Sequence, residues 1–301
     1  MSCPPTPASV SGTAGEGRQP IAVSVVVIAK NEAANIRRCL ESVAGAADVL
    51  VVDDFSDDET ASIAASCGAR VLRHRFSSFA AQRNWALEHG EPRHEWVLML
   101  DADEALTPTA LAAIAAAIGS AEGSVAAFVM CRRNWFCGRF LRHVDGYPVW
   151  IMRLVHRDRA RFVDAGHGEV PVPPLPGDIR KIREPFLHFP FSHGLSQWVE
   201  RHNVYSTNEA QLEWAERGVW SWREVFGRDA PARRRSLRNL ARHMPFRPVL
   251  RFCYHYFWKW GLLDGRAGLA FSLLMAGYEG LIVLKRRERE LAAGRAEPPS
   301  R

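Results

Sequence analysis

An α/β fold on a mixed, mainly parallel sheet is what this sequence predicts, and three observations carry the prediction. Strand-like runs at Ile21–Ala29, Asp48–Val52, Arg70–His74, Glu95–Leu100 and Ser124–Cys131 alternate with stretches of helical composition. The first run, IAVSVVVIA, is apolar and β-branched on both alternations, as in a strand covered on both faces. Polar residues then gather after the strands: Lys30-Asn31-Glu32, Asp53-Asp54, and Asp101 with Asp103. In open α/β sheets the region beyond the carboxyl ends of the strands is where ligands bind.

Each element has its own signal. Asn31 or Glu32 opens a helix with Ile36, Leu40 and Val43 on its apolar side. Ser56-Asp57-Asp58-Glu59 reads as a capped helix start, with the helix running to Ser66 and stopped by Gly68. A third helix covers Phe79–His89, and an Ala-rich one begins near Pro108. After Cys131 the pattern changes to an aromatic, Gly-rich stretch (Asn134–Pro148), a strand at Val149–His156 and a polar knot from Asp164 to Glu169. The Pro-rich segment 171–177 leads to a short strand near Phe186–Phe189. From Leu195 the chain reads as helix, with Trp198, His202, Tyr205 and Leu212 on one face. Arg217–Arg235 reads as a looser basic link before two apolar helices near Val249–Trp260 and Ala267–Leu284. Residues 1–20 have no apolar h-region and read as a disordered tail. The expected organisation is that tail, an α/β domain over 21–190, a helical extension over 191–290 and a flexible end at 291–301.

Charge and cysteines narrow the classes. The chain has 39 Lys and Arg against 33 Asp and Glu, and the excess sits in the Arg- and Trp-rich C-terminal part. That part suits an anionic partner. Nucleic acid is disfavoured, because the expected ligand rim is acidic and no RNP-like motif is present. No GxGxxG follows the first strand, which argues against a dinucleotide enzyme. Six cysteines without a CxxC pair read as ordinary thiols of a reducing compartment, so a cytoplasmic location is expected. Gly268–Leu284 is apolar for seventeen residues apart from Tyr278-Glu279. A spanning helix needs roughly 20 apolar residues, and Glu279 is costly in a bilayer core. An interfacial helix pair is therefore expected, with Arg242, Arg247, Arg251, Lys259 and Arg266 interleaved among aromatics to meet anionic lipid on the inner-membrane surface. A self-packed helical tail is the alternative.

The chemistry concentrates in VLMLDADEAL, residues 97–106. A buried strand that runs into Asp101, Asp103 and Glu104 needs a positive counterpart. A divalent cation, Mg²⁺ or Mn²⁺, shared between carboxylate and diphosphate oxygens is one answer. A solvated turn with a helix cap at Thr107-Pro108 is the plain one. The same pattern opens the phosphohydrolases of the haloacid dehalogenase type, but Ala105 stands where those have Thr or Val, and four strand–helix units precede it. A non-catalytic membrane-binding module is a third reading.

Four blocks together carry a resemblance: SVVVIAKNEAANIRRCLESV, VLVVDDFSDDETASIA, AAQRNWAL and VLMLDADEAL. They resemble the nucleotide-sugar-binding half of family 2 glycosyltransferases, with their GT-A (nucleotide-diphospho-sugar transferase) fold. NWFCGRFLRHVDGYPVWIMRLVHRDRARFVDAGHGEV and the later WGLLDGRAGLAFSLL are similar to the group that contains lipopolysaccharide core β-1,4-glucosyltransferases. The resemblance spans about residues 21–285. It implies an inverting hexosyltransferase that takes a nucleotide-diphosphate sugar, UDP-linked, to a lipid-linked or cell-envelope glycan acceptor. It further implies that Ala29 and Glu32 line the pocket for the base, Asp53 bonds uracil or ribose, and Arg83 and Asn84 sit near the donor phosphates and sugar. Asp101 would face the ribose and donor sugar, and Asp103 would hold the metal. The acceptor hydroxyl needs a base; the resemblance points to Glu169, with His167 a helper or the base itself, and Asp164 and Asp145 behind them. Arg153 either directs a cation toward a donor or acceptor phosphate or pairs with a neighbouring acid. Trp135, Tyr147 and Trp150 stack on an acceptor sugar or belong to the core.

Overall fold

A computed structural model describes residues 20–165, 168–172, 177–215, 221–244 and 246–296. It divides the chain into two units. One runs to Phe140 and resumes over Tyr147–Ser192; the other joins Leu141–Gly146 to the chain from His193 onward.

Among its described residues the first unit holds eleven strands and four helices. In chain order they are β1 (Ile21–Ala29), α1 (Ile36–Ser42), β2 (Ala46–Asp53), α2 (Thr60–Ser66), β3 (Arg70–Arg73), α3 (Phe79–His89), β4 (Trp96–Asp101), β5 (Glu104–Ala105) and α4 (Pro108–Gly119). Then come β6 (Val125–Phe136), β7 (Arg139–Phe140), β8 (Val149–His156), β9 (Phe162–Ala165), β10 (Gly168–Pro171) and β11 (Asp178–His188). The main sheet has the order β3-β2-β1-β4-β8-β6-β11-β5, with β7 beside β6. The four strands β3, β2, β1 and β4 are mutually parallel. β8 enters antiparallel between β4 and β6, and β6 and β11 are parallel again. β9 and β10 form a separate antiparallel pair.

Strand alternation explains the layers. Val23, Val25 and Val27 of β1 face a core shared with Ile36 and Leu40 of α1, Ala64 of α2 and Ile114 of α4. Val26 and Ile28 point the other way, into a core with Ala80, Ala86 and Leu87 of α3. The sheet is therefore covered on both faces, as its apolar strands require.

Three local expectations are corrected. The first helix begins at Ile36 and not at Asn31 or Glu32. Asn31 takes a positive φ of 53°, and the backbone N–H groups of Asn31, Glu32 and Ala33 donate to Ser56, Thr60 and Asp58. Those donors serve a loop-to-loop lacing in place of a helix start. The short strand expected near Phe186–Phe189 is the end of the longer β11, which begins at Asp178 and whose Leu187-His188 pair antiparallel with the short strand Glu104–Ala105.

The third correction lies in the second unit, where the expected link Arg217–Arg235 contains helix. That unit holds α5 (Gly194–Ala215), α6 (Trp222–Val225), α7 (Ala230–His243) and α8 (Arg247–Cys253). A π turn (Tyr254–Trp258), a 3-10 turn (Gly261–Asp264) and α9 (Gly265–Ala296) follow. Asp264 binds Leu141–Gly146 to this unit by accepting from the N–H groups of Arg142, His143 and Val144 at 3.2, 2.9 and 2.8 Å. Gly268 is needed where α9 meets the 3-10 turn, since a Cβ there would lie 1.9 Å from the Gly261 carbonyl oxygen.

Candidate active site

Register places the acidic rim. Ala29 at the end of β1 pairs with Asp53 of β2, and its neighbour Ile28 pairs with Asp101 of β4. The carboxyl ends of three adjacent parallel strands thus stop at one level, and their loops carry Glu32, Asp54 and Asp103 beyond it.

The counterpart to the carboxylates of β4 is a pair of arginines. Arg83 of α3 donates to one oxygen of Asp101 at 2.7 Å, and Arg153 of β8 donates to the other at 2.9 Å. Arg153 also makes a close ion pair with Glu104. Both guanidinium side chains are buried, 1% and 4% exposed, and Glu104 is fully buried. The second Glu104 oxygen accepts from the Asp101 N–H at 3.1 Å, which closes the DxDE turn on itself.

These contacts divide the acids electrostatically. Burial pushes the Asp101 carboxyl up, but Arg153 and Arg83 outweigh it and bring it down to about 2. Burial pushes Glu104 up to about 7, because the nearby Asp101 charge adds to desolvation and Arg153 offsets only part of both.

Asp103 has a different partner. Its carboxylate lies 3.4 Å from His188 Nε2 at the end of β11, and its carbonyl oxygen accepts from the Phe189 N–H at 2.9 Å. His188 Nδ1 lies 2.6 Å from Asn134 Oδ1 of β6. Burial opposes a charge on His188, yet the Asp103 carboxylate holds its pKa above the ordinary histidine value. Arg38 of α1 also contributes positive potential at Asp103, with its guanidinium 3.8 Å from the centre of the Phe189 ring.

The remaining expected residues fall around this centre in distinct ways. Ala29 is buried at the rim, with its carbonyl accepting from Asp54 N–H at 2.9 Å. Glu32 accepts from Asn35 at 2.6 Å and stands in the loop above β1. Asp53 is fully buried and accepts from the N–H and hydroxyl of Ser56, so it shapes its own turn. Asp54 pairs with Lys30 at 2.7 Å and accepts from Phe76 N–H at 3.0 Å.

Arg83, expected beside the donor phosphates, donates to Asp101. Asn84 clamps the Phe162 backbone, donating to its carbonyl at 2.9 Å and accepting from its N–H at 3.0 Å. For Arg153 the alternative of pairing with a neighbouring acid is the one found.

Trp135 stacks with Phe189 at 6.3 Å, Tyr147 meets Phe140 edge-on, and Trp150, 36% exposed, lies under Lys181. Asp164 accepts from Ala80 N–H at the start of α3, and Asp164 and Glu169 are backbone partners in β9 and β10. His167 and the Glu169 side chain lie outside what the structure describes.

Sequence reasoning missed His188 and Asn134. Each lies near the end of a strand that carries other polar residues, and only the parallel pairing of β6 with β11, which aligns Asn134 with His188, brings them to Asp103.

Whether these residues suit a divalent cation follows from the donor set. Among the described residues no cluster of three or more His, Cys, Asp and Glu is arranged to hold a metal. Asp101 and Glu104 are committed to arginines, which leaves Asp103 with His188. One or two protein ligands are what Mg²⁺ or Mn²⁺ uses when diphosphate and water complete the shell, so the residues fit a cation that arrives with its diphosphate.

An acidic rim at the carboxyl ends of β1, β2 and β4 defines a ligand-binding α/β domain. More narrowly, residues 24–168 match the family model Glycosyl transferase family 2. Among curated proteins, an "Uncharacterized glycosyltransferase" of Rickettsia bellii is 41% identical over 86 residues, 28% of this chain. The chain spans only 29% of that relative's length. The lipopolysaccharide core biosynthesis glycosyltransferase LpsC of Rhizobium meliloti is 26% identical over 201 residues, covering 64% of this chain and 71% of that protein. Among solved structures, the mannosyltransferase PcManGT of Pyrobaculum calidifontis, in complex with GDP-Man and Mn²⁺, covers 90% of this chain and is covered to 88%, with 19% identity and a TM-score of 0.46. S. aureus TarS 1–349 in complex with UDP-GlcNAc aligns over 93% of both chains, with 14% identity and a TM-score of 0.42.

Proposed function

We propose that this chain is an inverting hexosyltransferase that uses a nucleotide-diphosphate sugar, UDP-linked, and a lipid-linked or cell-envelope glycan acceptor such as lipopolysaccharide core. The observation that carries the reading is the common level of Ala29, Asp53 and Asp101, with Asp103 held by His188 just beyond it. The family match over residues 24–168 supports the reaction class, and the likeness to LpsC supports the acceptor class.

In this reading the base lies against Ala29 and Glu32, and Asp53 bonds uracil or ribose by exchanging its Ser56 partner. Asp101, kept ionised by Arg83 and Arg153, accepts from ribose or donor-sugar hydroxyls. Arg83 and Arg153 are positioning residues: their charge acts through Asp101, and Asn84 acts through β9. Asp103, oriented by His188, would hold a divalent metal, whose chemistry is to stabilise the negative charge on the departing nucleotide diphosphate. Glu169 takes the proton of the acceptor hydroxyl, on the side opposite the leaving group. His167 assists it.

A panel of UDP- and GDP-hexoses, assayed for binding and slow hydrolysis with Mg²⁺ or Mn²⁺, tests the donor. Saturable UDP-hexose turnover supports the proposal. Release of phosphate from simple phosphomonoesters without nucleotide binding would support the phosphohydrolase reading. Glu169→Gln is expected to stop transfer and leave donor affinity within about twofold; an active variant would assign the base elsewhere.

A further inference from the structure

The second unit exposes an unusual set of side chains between Phe246 and Leu263. Phe246, Val249, Phe257, Trp258, Trp260 and Leu263 are all exposed, Trp258 by 79% and Phe246 by 77%. Single exposed apolar residues are ordinary, but a concentrated group of them marks an interaction surface. Two residues that bracket the segment add a second, independent sign. Phe246 and Trp260 hold left-handed backbone conformations, with φ of 57° and 56°. Bulky side chains rarely adopt that region, and such strain gathers where function requires it. Neither ring gains burial from it.

Charge identifies the partner. From Arg217 to Tyr278 the sequence has twelve Arg and Lys against three acids. Between Met244 and Tyr278 the sole acid is Asp264, which is 4% exposed and occupied by three backbone N–H groups. Arg266 is exposed, and Lys259 holds its ammonium 5.4 Å from the centre of the Tyr254 ring. Two of the arginines first expected to meet lipid do other work. Arg247 pairs with Glu213 at 2.8 Å and with Glu279 at 2.5 Å, and Arg242 lies 3.8 Å from Glu213. These pairs tie α5, α7, α8 and α9 together.

We infer that the Phe246–Leu263 segment docks on an anionic phospholipid bilayer, with its aromatic rings at the headgroup–acyl boundary and Lys259 and Arg266 facing lipid phosphates. Tryptophan is favoured at that boundary, and basic residues add attraction to anionic lipid. Gly261–Ala293 is long and apolar enough by composition to cross a bilayer, with a mean hydropathy of 1.7 over its most apolar 18 residues. Docking on the surface explains its polar ties better. Asp264, Glu279 and Lys285 fasten it along its length, the Lys285 ammonium donating to Asn203, Ser206 and Thr207 of α5.

The test is co-sedimentation of the full chain with phosphatidylcholine vesicles, with and without phosphatidylglycerol, at low and high salt. Pelleting with the anionic vesicles, weakened by salt, is expected, together with little pelleting on neutral ones. Trp258→Ser with Trp260→Ser should weaken it at least about tenfold, and Lys259→Glu with Arg266→Glu should remove its salt dependence. Circular dichroism and unchanged donor hydrolysis establish that these variants fold. Failure to pellet at low salt, or equal pelleting with neutral vesicles, overturns the inference. So does a tryptophan pair whose loss changes only self-association in sedimentation velocity, which would assign the surface to a second copy of the chain.

Discussion

Asp101 and Asp103 are two positions apart and chemically identical, yet their partners separate them. Asp101 is held between two buried arginines, whereas Asp103 meets a histidine at the mouth of the site. Removing one member of a buried ion pair leaves the other charge uncompensated, at a cost of about 3–5 kcal/mol. Arg153→Met should therefore lower stability by about that amount in thermal or urea unfolding, since both Asp101 and Glu104 lose their shared cation. Adding Glu104→Gln should recover part of the loss, and a purely additive double variant would deny the coupling. Acid stability carries a second sign of the arrangement. Because the Asp101 carboxyl is lower in the fold than in the unfolded chain, its contribution is complete above about pH 4. It is lost as pH falls toward about 2. Asp101→Asn should flatten the acid limb of the stability profile across that window. The acids themselves were legible in the sequence because their pattern is local. Their cations were not: Arg83 and Arg153 lie 18 and 52 positions from Asp101, and nothing short of the sheet order joins them.

At the level of elements, β1, β2 and β4 were readable because burial on both faces leaves a continuous apolar run, whereas β11, charged and mostly exposed over its first residues, was read only near Phe186. β1 was anticipated to the residue, and β2, β3 and β4 to within two. Helix starts were less readable wherever side chains from elsewhere took the backbone donors. Ser56, Asp58 and Thr60 do so at Asn31–Ala33, and no pattern within the helix itself announces that. The far end of the sheet has its own polar lock. Asp48, at the start of β2, accepts from Ser24 of β1 at 2.8 Å, from Arg70 of β3 at 3.2 Å and from Arg93 N–H at 3.1 Å. Burial raises its pKa, but these donors outweigh it and leave the carboxyl below its usual value. Asp48→Asn should cost about 1–3 kcal/mol at neutral pH. The difference from the parent should shrink as pH falls below about 3.9, where the unfolded carboxyl is already protonated. An equal cost at all pH values would show that geometry, not charge, is what Asp48 supplies.

Across the whole molecule, two units divide the work. Every described residue of the acidic rim and its counter-cations belongs to the first, and the aromatic, basic surface belongs to the second. Composition had already separated these roles, because acidic strand ends and an Arg- and Trp-rich tail are properties of whole segments. It could not show that Arg247 and Arg242 turn inward to Glu213 while Trp258 and Trp260 turn outward, since both sets share one stretch of sequence. The rim above β1, β2 and β4 is proposed to bind a nucleotide-diphosphate sugar through Asp103. Calorimetric titration of UDP-hexose into the parent protein and Asp103→Ala, each with and without Mn²⁺, is the decisive experiment. Saturable binding that Mn²⁺ strengthens is expected in the parent, with loss of the metal-dependent part in a folded Asp103→Ala. Binding that is the same in both proteins, with or without the metal, would contradict it.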